Sequence, residues 1–160
     1  AADTTMGPLA HDRRVPWVEM MVQDAQAKGG KVHTGGKRIG NKGYFYEPTV
    51  MTDVPKDARA MNEEPCGPMA MISRFKDLDE VVEEANRLPY GLASYAFTRS
   101  AKTANAVAAR VESGMMTINH LGLALPEVPF GGIKDSGYGT EGGSEAVEAY
   151  LETRFVSQMN

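Results

Sequence analysis

The stretch MNEEPCGP, residues 61–68, contains the chain's single cysteine, Cys66, with Glu63 and Glu64 just before it. A thiol beside a carboxylate has the parts of a nucleophile and its general base, the pair that covalent chemistry on a carbonyl uses. Such a thiol needs a stabilised thiolate, and a helix N-terminus, a cation or an imidazole supplies that. Around Cys66 there are instead two carboxylates and two prolines, Pro65 and Pro68. The surroundings favour a small buried hydrophobe over a nucleophile. The two glutamates are adjacent on what reads as an extended loop, so their side chains point to opposite faces. That argues against a carboxylate pair sharing one proton, with one pointing inward and the other to solvent.

The other chemical signals are weaker. GYGTEG, residues 137–142, matches G-x-G-x-x-G. A dinucleotide fingerprint needs a strand before it, a helix after it and an acid about 20 residues on. Here a polar loop precedes it and the sequence given ends too soon for that acid, so the glycines read as turn-formers. No serine has the G-x-S-x-G setting of a nucleophile elbow. His11, His33 and His120 lie far apart and none has a second ligand at metal spacing, so no metal site is expected.

These residues need elements to position them. Val15, Val18, Val22 and Ala25 recur at helical spacing, with Trp17 and Met21 alongside. Pro16 fits only a first turn, so the helix begins near Val15 and stops at Gly29-Gly30. KVHTGG reads as a short strand and turn, and YFYEPTVM as extended. From residue 68 the pattern alternates. PMAMISRF is a buried-strand candidate. DLDEVVEEANRL is a helix capped by Asp77 or Asp79, with Leu78, Val81, Val82 and Ala85 on one face. ASYAFT is a strand, AKTANAVAARV a helix capped by Ser100 and ending near Gly114, and MMTIN a third strand. Strand and helix alternating in this way predict an α/β fold, with a parallel sheet over residues 68–119. Residues 120–143 carry seven glycines and two prolines, and a loop that long is usually functional. A short helix over Ser144–Tyr150 follows, and LETRFVSQ alternates like a final strand.

Composition narrows the function classes. The 160 residues suffice for a sizeable core, and apolar residues make up 42%. A net charge of −4 with interspersed signs argues against a nucleic-acid surface. No apolar run approaches the roughly 18 residues of a membrane span. The N-terminal AADTTMGPLAHD has neither a basic nor an apolar targeting region and reads as a loop feeding a helix. A single cysteine fits a reducing compartment, and the expected location is cytoplasmic.

GYFYEPTVMTDV, NEEPCGPMAMI, ANRLPYGLASYAFT, SGMMTIN and VPFGGIKDSGYGTEGG follow one another in this order. Together they resemble the C-terminal portion of the NAD(P)-dependent aldehyde dehydrogenase superfamily, with the succinate-semialdehyde dehydrogenase-like group the nearest in flavour. The resemblance runs from MGPLA to LETRFVSQ. It implies an enzyme in which an upstream Rossmann-type domain binds the cofactor, a cysteine thiolate attacks the aldehyde, and a glutamate activates water to release the acid. In the family both the nucleophile and that glutamate lie N-terminal to the matched region. Residues 1–143 then correspond to part of the catalytic domain, and residues 144–160 to a C-terminal helix and oligomerisation strand. The chain alone is expected to be inactive and to bind neither NAD nor NADP tightly.

The resemblance also distributes roles. The second glutamate of the family's EE-x-F-G-P motif holds the two hydroxyls of the nicotinamide ribose, and this role falls on Glu64. The motif's aromatic residue, which packs near the nicotinamide, falls on Cys66, a departure that removes the ring. The loop from Asn119 to Phe130 matches the wall of the substrate tunnel, with His120, Leu123, Ala124, Leu125 and Phe130 as candidates. Semialdehyde-type relatives use a serine in this loop to hold the substrate carboxylate, and no serine stands between Asn119 and Phe130 here. The expected partners are the N-terminal part of the same protein and further copies, joined through the C-terminal strand. The alternative is a non-catalytic assembly or interaction module that retains the fold.

Overall fold

The computed structural model describes residues 4–160. Of the N-terminal loop expected from the sequence, residues 1–3 lie outside the described residues, and residues 4–13 contain no helix or strand. The chain divides between Arg74 and Phe75 into two compact units.

In the first unit, helix α1 spans Arg14–Ala27 and buries Val15, Val18, Met21, Val22 and Ala25. Pro16 sits in the first turn, where backbone N–H groups have no intrahelical acceptor to lose. The helix stops as a Schellman motif: Gly29 N–H donates to the Gln26 carbonyl and Gly30 N–H to that of Ala25. Gly29 has φ +103°, a conformation in which glycine avoids the Cβ penalty. Strands β1 (Lys31–Thr34), β2 (Thr49–Thr52) and β3 (Met69–Ile72) form a sheet in that order, β1–β2 antiparallel and β2–β3 parallel. Val15, Val18, Val22, Ala25, Tyr46 and Met51 pack with Val54 and Ala58 as the core. Each large apolar side chain buried in this way contributes about 1.5–3 kcal/mol.

In the second unit, helix α2 spans Leu78–Asn86, and its cap is Asp77, whose carboxylate accepts from Glu80 N–H at 2.9 Å. Strand β4 (Tyr90–Gly91) pairs antiparallel with β7 (Ile133–Lys134). Strand β5 (Ala93–Ala96) pairs parallel with β6 (Met115–Ile118), across helix α3 (Ala101–Arg110), which Ser100 caps. The side chain of Asn86 donates to the Arg110 carbonyl and accepts from Glu112 N–H, both at 2.8 Å, tying the end of α2 to the end of α3.

Four expectations change. The strands read as one parallel layer over residues 68–119 divide their pairing: the parallel neighbour of β3 is β2, and that of β5 is β6. Periodicity identifies a strand but carries no information about its neighbour. Strand β3 is also not buried, since Ala70 and Ile72 face solvent, and on α2 Ala85 is exposed while Val82 is buried. Finally, residues 151–160 form no strand in the single chain; a ladder needs a partner, and these residues are exposed throughout. The helix before them, Ser144–Tyr150, is of the tighter 3-10 form.

Candidate functional site

The loop that carries MNEEPCGP leaves a 3-10 turn, Arg59–Met61, and enters β3. It is held to helix α1 at both ends. At the start, Arg59 N–H donates to the Asp24 carboxylate at 2.7 Å, and its guanidinium lies 5.6 Å from the centre of the Trp17 ring. At the exit, a Cβ added to Gly67 would run into a methyl of buried Val18, so only glycine lets the loop lie this close to the helix. The Pro68 carbonyl then accepts from Thr49 N–H at 2.8 Å and sets the register of β2 against β3.

Between these anchors the two glutamates diverge. Glu63 makes a two-pronged pair with Arg59, Nε to Oε1 at 2.6 Å and Nη2 to Oε2 at 2.9 Å. The Arg59 hydrogen bond is the largest influence on the Glu63 carboxyl and holds it below its usual range, against a smaller opposing effect of desolvation. The backbone hydrogen bond from Arg59 does the same for Asp24, with Lys28 assisting. Glu63 is therefore an engaged anchor of the loop. Glu64 is exposed, and among the described residues its carboxylate has no hydrogen-bond or ion-pair partner. Both oxygens are open, the arrangement that two neighbouring hydroxyls need. The donor set of a ribose diol thus fits Glu64.

Cys66 is exposed, which corrects its reading as a buried hydrophobe. It adopts φ +44° between Pro65 and Gly67, in a tight turn at the surface of its unit. No imidazole or cation contacts the thiol among the described residues, and no group of three His, Cys, Asp or Glu there is placed to hold a metal ion.

The candidate tunnel residues belong to the second unit. Asn119 holds φ +63° and exchanges two hydrogen bonds with the Thr98 backbone, at 2.8 and 2.9 Å, which fixes the exit of β6. Thr117 Oγ1 donates to the His120 carbonyl at 2.7 Å, while the exposed imidazole accepts from Gly122 N–H at 3.3 Å. Leu123 and Phe130 are half-buried; Ala124 and Leu125 are exposed. Phe130 and Glu141 exchange backbone hydrogen bonds at 2.7 Å, closing the loop on itself. The GYGTEG glycines serve this closure. Gly139 and Gly142 have φ of +75° and +65°, and a Cβ on Gly131 would meet the Gly139 carbonyl at 2.6 Å.

Sequence reasoning missed Arg59. Its spacing to Glu63 is the i,i+4 interval of facing side chains, a signal that was present in DARAMNEE. It missed Asp24 and Trp17 because their approach to Arg59 is long-range. Among the described residues no helix is long and apolar enough to cross a membrane.

Comparison with known proteins identifies the relatives of this chain. The chain is 46% identical over 156 residues to 4-(hydroxymethyl)benzenesulfonate dehydrogenase of Comamonas testosteroni, covering 98% of this chain and 32% of that protein. It is 42% identical over 154 residues to a probable succinate-semialdehyde dehydrogenase (NADP(+)) of Sinorhizobium fredii, covering 96% of this chain and 31% of that protein. The NAD+ complex of an aldehyde dehydrogenase from Bacillus cereus superposes with a TM-score of 0.89 at 38% identity, over 95% of this chain and 31% of that one. The chain thus spans about a third of the length of these relatives. The match to the family profile covers residues 1–156, and the chain belongs to the aldehyde dehydrogenase family.

Proposed function

We propose that this chain is the C-terminal part of a cytoplasmic NAD(P)-dependent aldehyde dehydrogenase, with succinic semialdehyde the first substrate to test. The reaction consumes an aldehyde, water and oxidised cofactor and yields a carboxylic acid, reduced cofactor and a proton. The nicotinamide, when bound, supplies the hydride acceptor. This chain's share is positional: Glu64 accepts hydrogen bonds from both ribose hydroxyls, and His120, Leu123, Ala124, Leu125 and Phe130 line the path of the aldehyde. Cys66 stands where relatives carry a ring and takes no chemical step. The nucleophilic cysteine, the activating glutamate and the phosphate-binding domain belong to sequence upstream, so the chain by itself is inactive and binds the cofactor weakly. Residues 151–160 join the sheet edge of a second copy.

The observation that carries this reading is the exposed carboxylate of Glu64, unpartnered among the described residues, on a loop anchored to α1 at both ends. A hydrogen bond to a charged group contributes about 1.5–3 kcal/mol, of which an amide retains part. In the full-length protein, Glu64→Gln is expected to raise the cofactor KM roughly tenfold and leave the aldehyde KM within about twofold. Steady-state kinetics with each substrate varied checks this, and an unchanged cofactor KM refutes the ribose role. Incubated alone with NAD or NADP and a panel of aldehydes, the purified chain is expected to form no reduced cofactor. Sustained absorbance growth at the nicotinamide band would overturn the assignment of the chemistry to upstream residues.

A further inference from the structure

Arg59 has an engagement that a surface ion pair does not require. Its backbone N–H is bound to Asp24 of helix α1, its Nη1 meets Met20 Sδ at 2.6 Å, and its guanidinium lies over Trp17. The remaining edge of the guanidinium grips both oxygens of Glu63. Glu63 N–H also donates to the Arg59 carbonyl at 2.8 Å, so the residue before Glu64 is fixed by backbone and side chain together. On the other side stands Pro65, which restricts the preceding residue to extended backbone. Glu63 is turned onto Arg59, while Glu64, the next residue, is exposed and makes no hydrogen bond or ion pair among the described residues.

We propose that Arg59 is a positioning residue for Glu64, aiming the ribose-binding carboxylate by clamping Glu63 against helix α1. This rests on the reading of Glu64 as the ribose ligand. A plain structural role for Arg59 predicts a different outcome: an i,i+4 pair that is more than a third exposed on both sides adds little to stability and nothing to cofactor binding. Positioning acts on affinity because a small misplacement of a binding group is costly even where the fold survives.

The test is a mutant cycle in the full-length enzyme, reading cofactor KM, aldehyde KM and kcat. Arg59→Ala and Glu63→Gln are each expected to raise the cofactor KM roughly three- to tenfold, with kcat and the aldehyde KM within about twofold. Arg59→Lys, which keeps the charge and loses the fork, is expected to fall between wild type and Arg59→Ala. In a Glu64→Gln background, adding Arg59→Ala is expected to change the cofactor KM by less than about twofold, since a clamp has no effect once its cargo is altered. A full repetition of the Arg59→Ala effect in that background overturns the proposal, as does an unchanged cofactor KM in Arg59→Ala. If Arg59→Ala does not fold, the same cycle run with Glu63→Gln and Glu64→Gln decides by the same criterion. Glu64→Gln without effect removes the ribose role and the proposal with it; an active Glu64→Gln beside a silent Arg59→Ala removes the proposal alone.

Discussion

Tyr46 is 1% exposed, and among the described residues its hydroxyl has no hydrogen-bond partner. Burial chiefly, with the charges of Glu19 and Glu47, pushes its ionisation from 10.0 up to about 12. The folded state thus holds the neutral phenol more firmly than the unfolded chain does. Its contribution is fully present below pH 10 and is lost as pH rises through about 12. Tyr46→Phe keeps the ring and removes the unsatisfied group, a change that is usually neutral or stabilising. Its melting temperature at pH 7 is expected to equal or exceed that of the parent. Between pH 10 and 12 the parent is expected to lose about 2–3 kcal/mol that the variant retains. Thermal melts across this range, parent against variant, isolate Tyr46 from the other titrating groups. A variant that is less stable by more than about 1 kcal/mol at pH 7 would mean that the hydroxyl has a partner. Cys66 and Glu63 show the same dependence on surroundings. The thiol that drew attention as a nucleophile is an exposed turn residue, and the Glu63 carboxylate is gripped by a guanidinium.

At the scale of elements, helix α1 and the MNEEPCGP loop form one construction. The loop can lie against α1 because Gly67 has no side chain where Val18, 0% exposed, occupies the space. Gly67→Ala forces a shift of the loop or of α1, and overpacking of this kind costs about 1–3 kcal/mol. Gly122→Ala is the control: its nearest neighbour would be His120 Nδ1 at 3.7 Å, an ordinary contact. Urea titrations are expected to show the loss for Gly67→Ala and a change within about 0.5 kcal/mol for Gly122→Ala. Equal stabilities would mean that the loop does not press on the helix. Most of these elements were legible because their signals are local. The apolar spacing of α1, the Asp77 and Ser100 caps and the Gly29 stop each lie within a few residues of the element they define. What could not be read is long-range. The pairing of β3 with β2, the antiparallel partnership of β4 with β7 inside the glycine-rich loop, and the approach of Asp24 to Arg59 all join residues far apart in sequence. The candidate site was legible in part for the same reason. NEEPCGP singled out Glu64 only as a candidate, while the contacts that hold its neighbour Glu63 are half local, in Arg59–Glu63, and half tertiary.

At the scale of the whole molecule, the C-terminal segment is the part that the single chain leaves without a structural role. Among the described residues, residues 151–160 have no strand partner, and Phe155 and Met159 are 90% and 96% exposed. An extended segment that carries unpaired backbone groups and apolar side chains is suited to complete a sheet in another chain. The buried cluster of the first unit draws its residues from Val15 to Ala58. Removal of residues 151–160 is therefore expected to change assembly and spare the fold of that unit. In light scattering after size exclusion, the full-length protein is expected to be an oligomer and the truncated one to shift to a smaller mass. Phe155→Asp should weaken the association in the same direction, through a charge placed on a surface that must lose water to pair. The melting temperature of the dissociated form should then fall with dilution less than that of the oligomer, because subunit binding no longer contributes to its stability. An unchanged mass after truncation would show that the copies meet through another surface, and would leave the exposed residues of this segment without an assembly role.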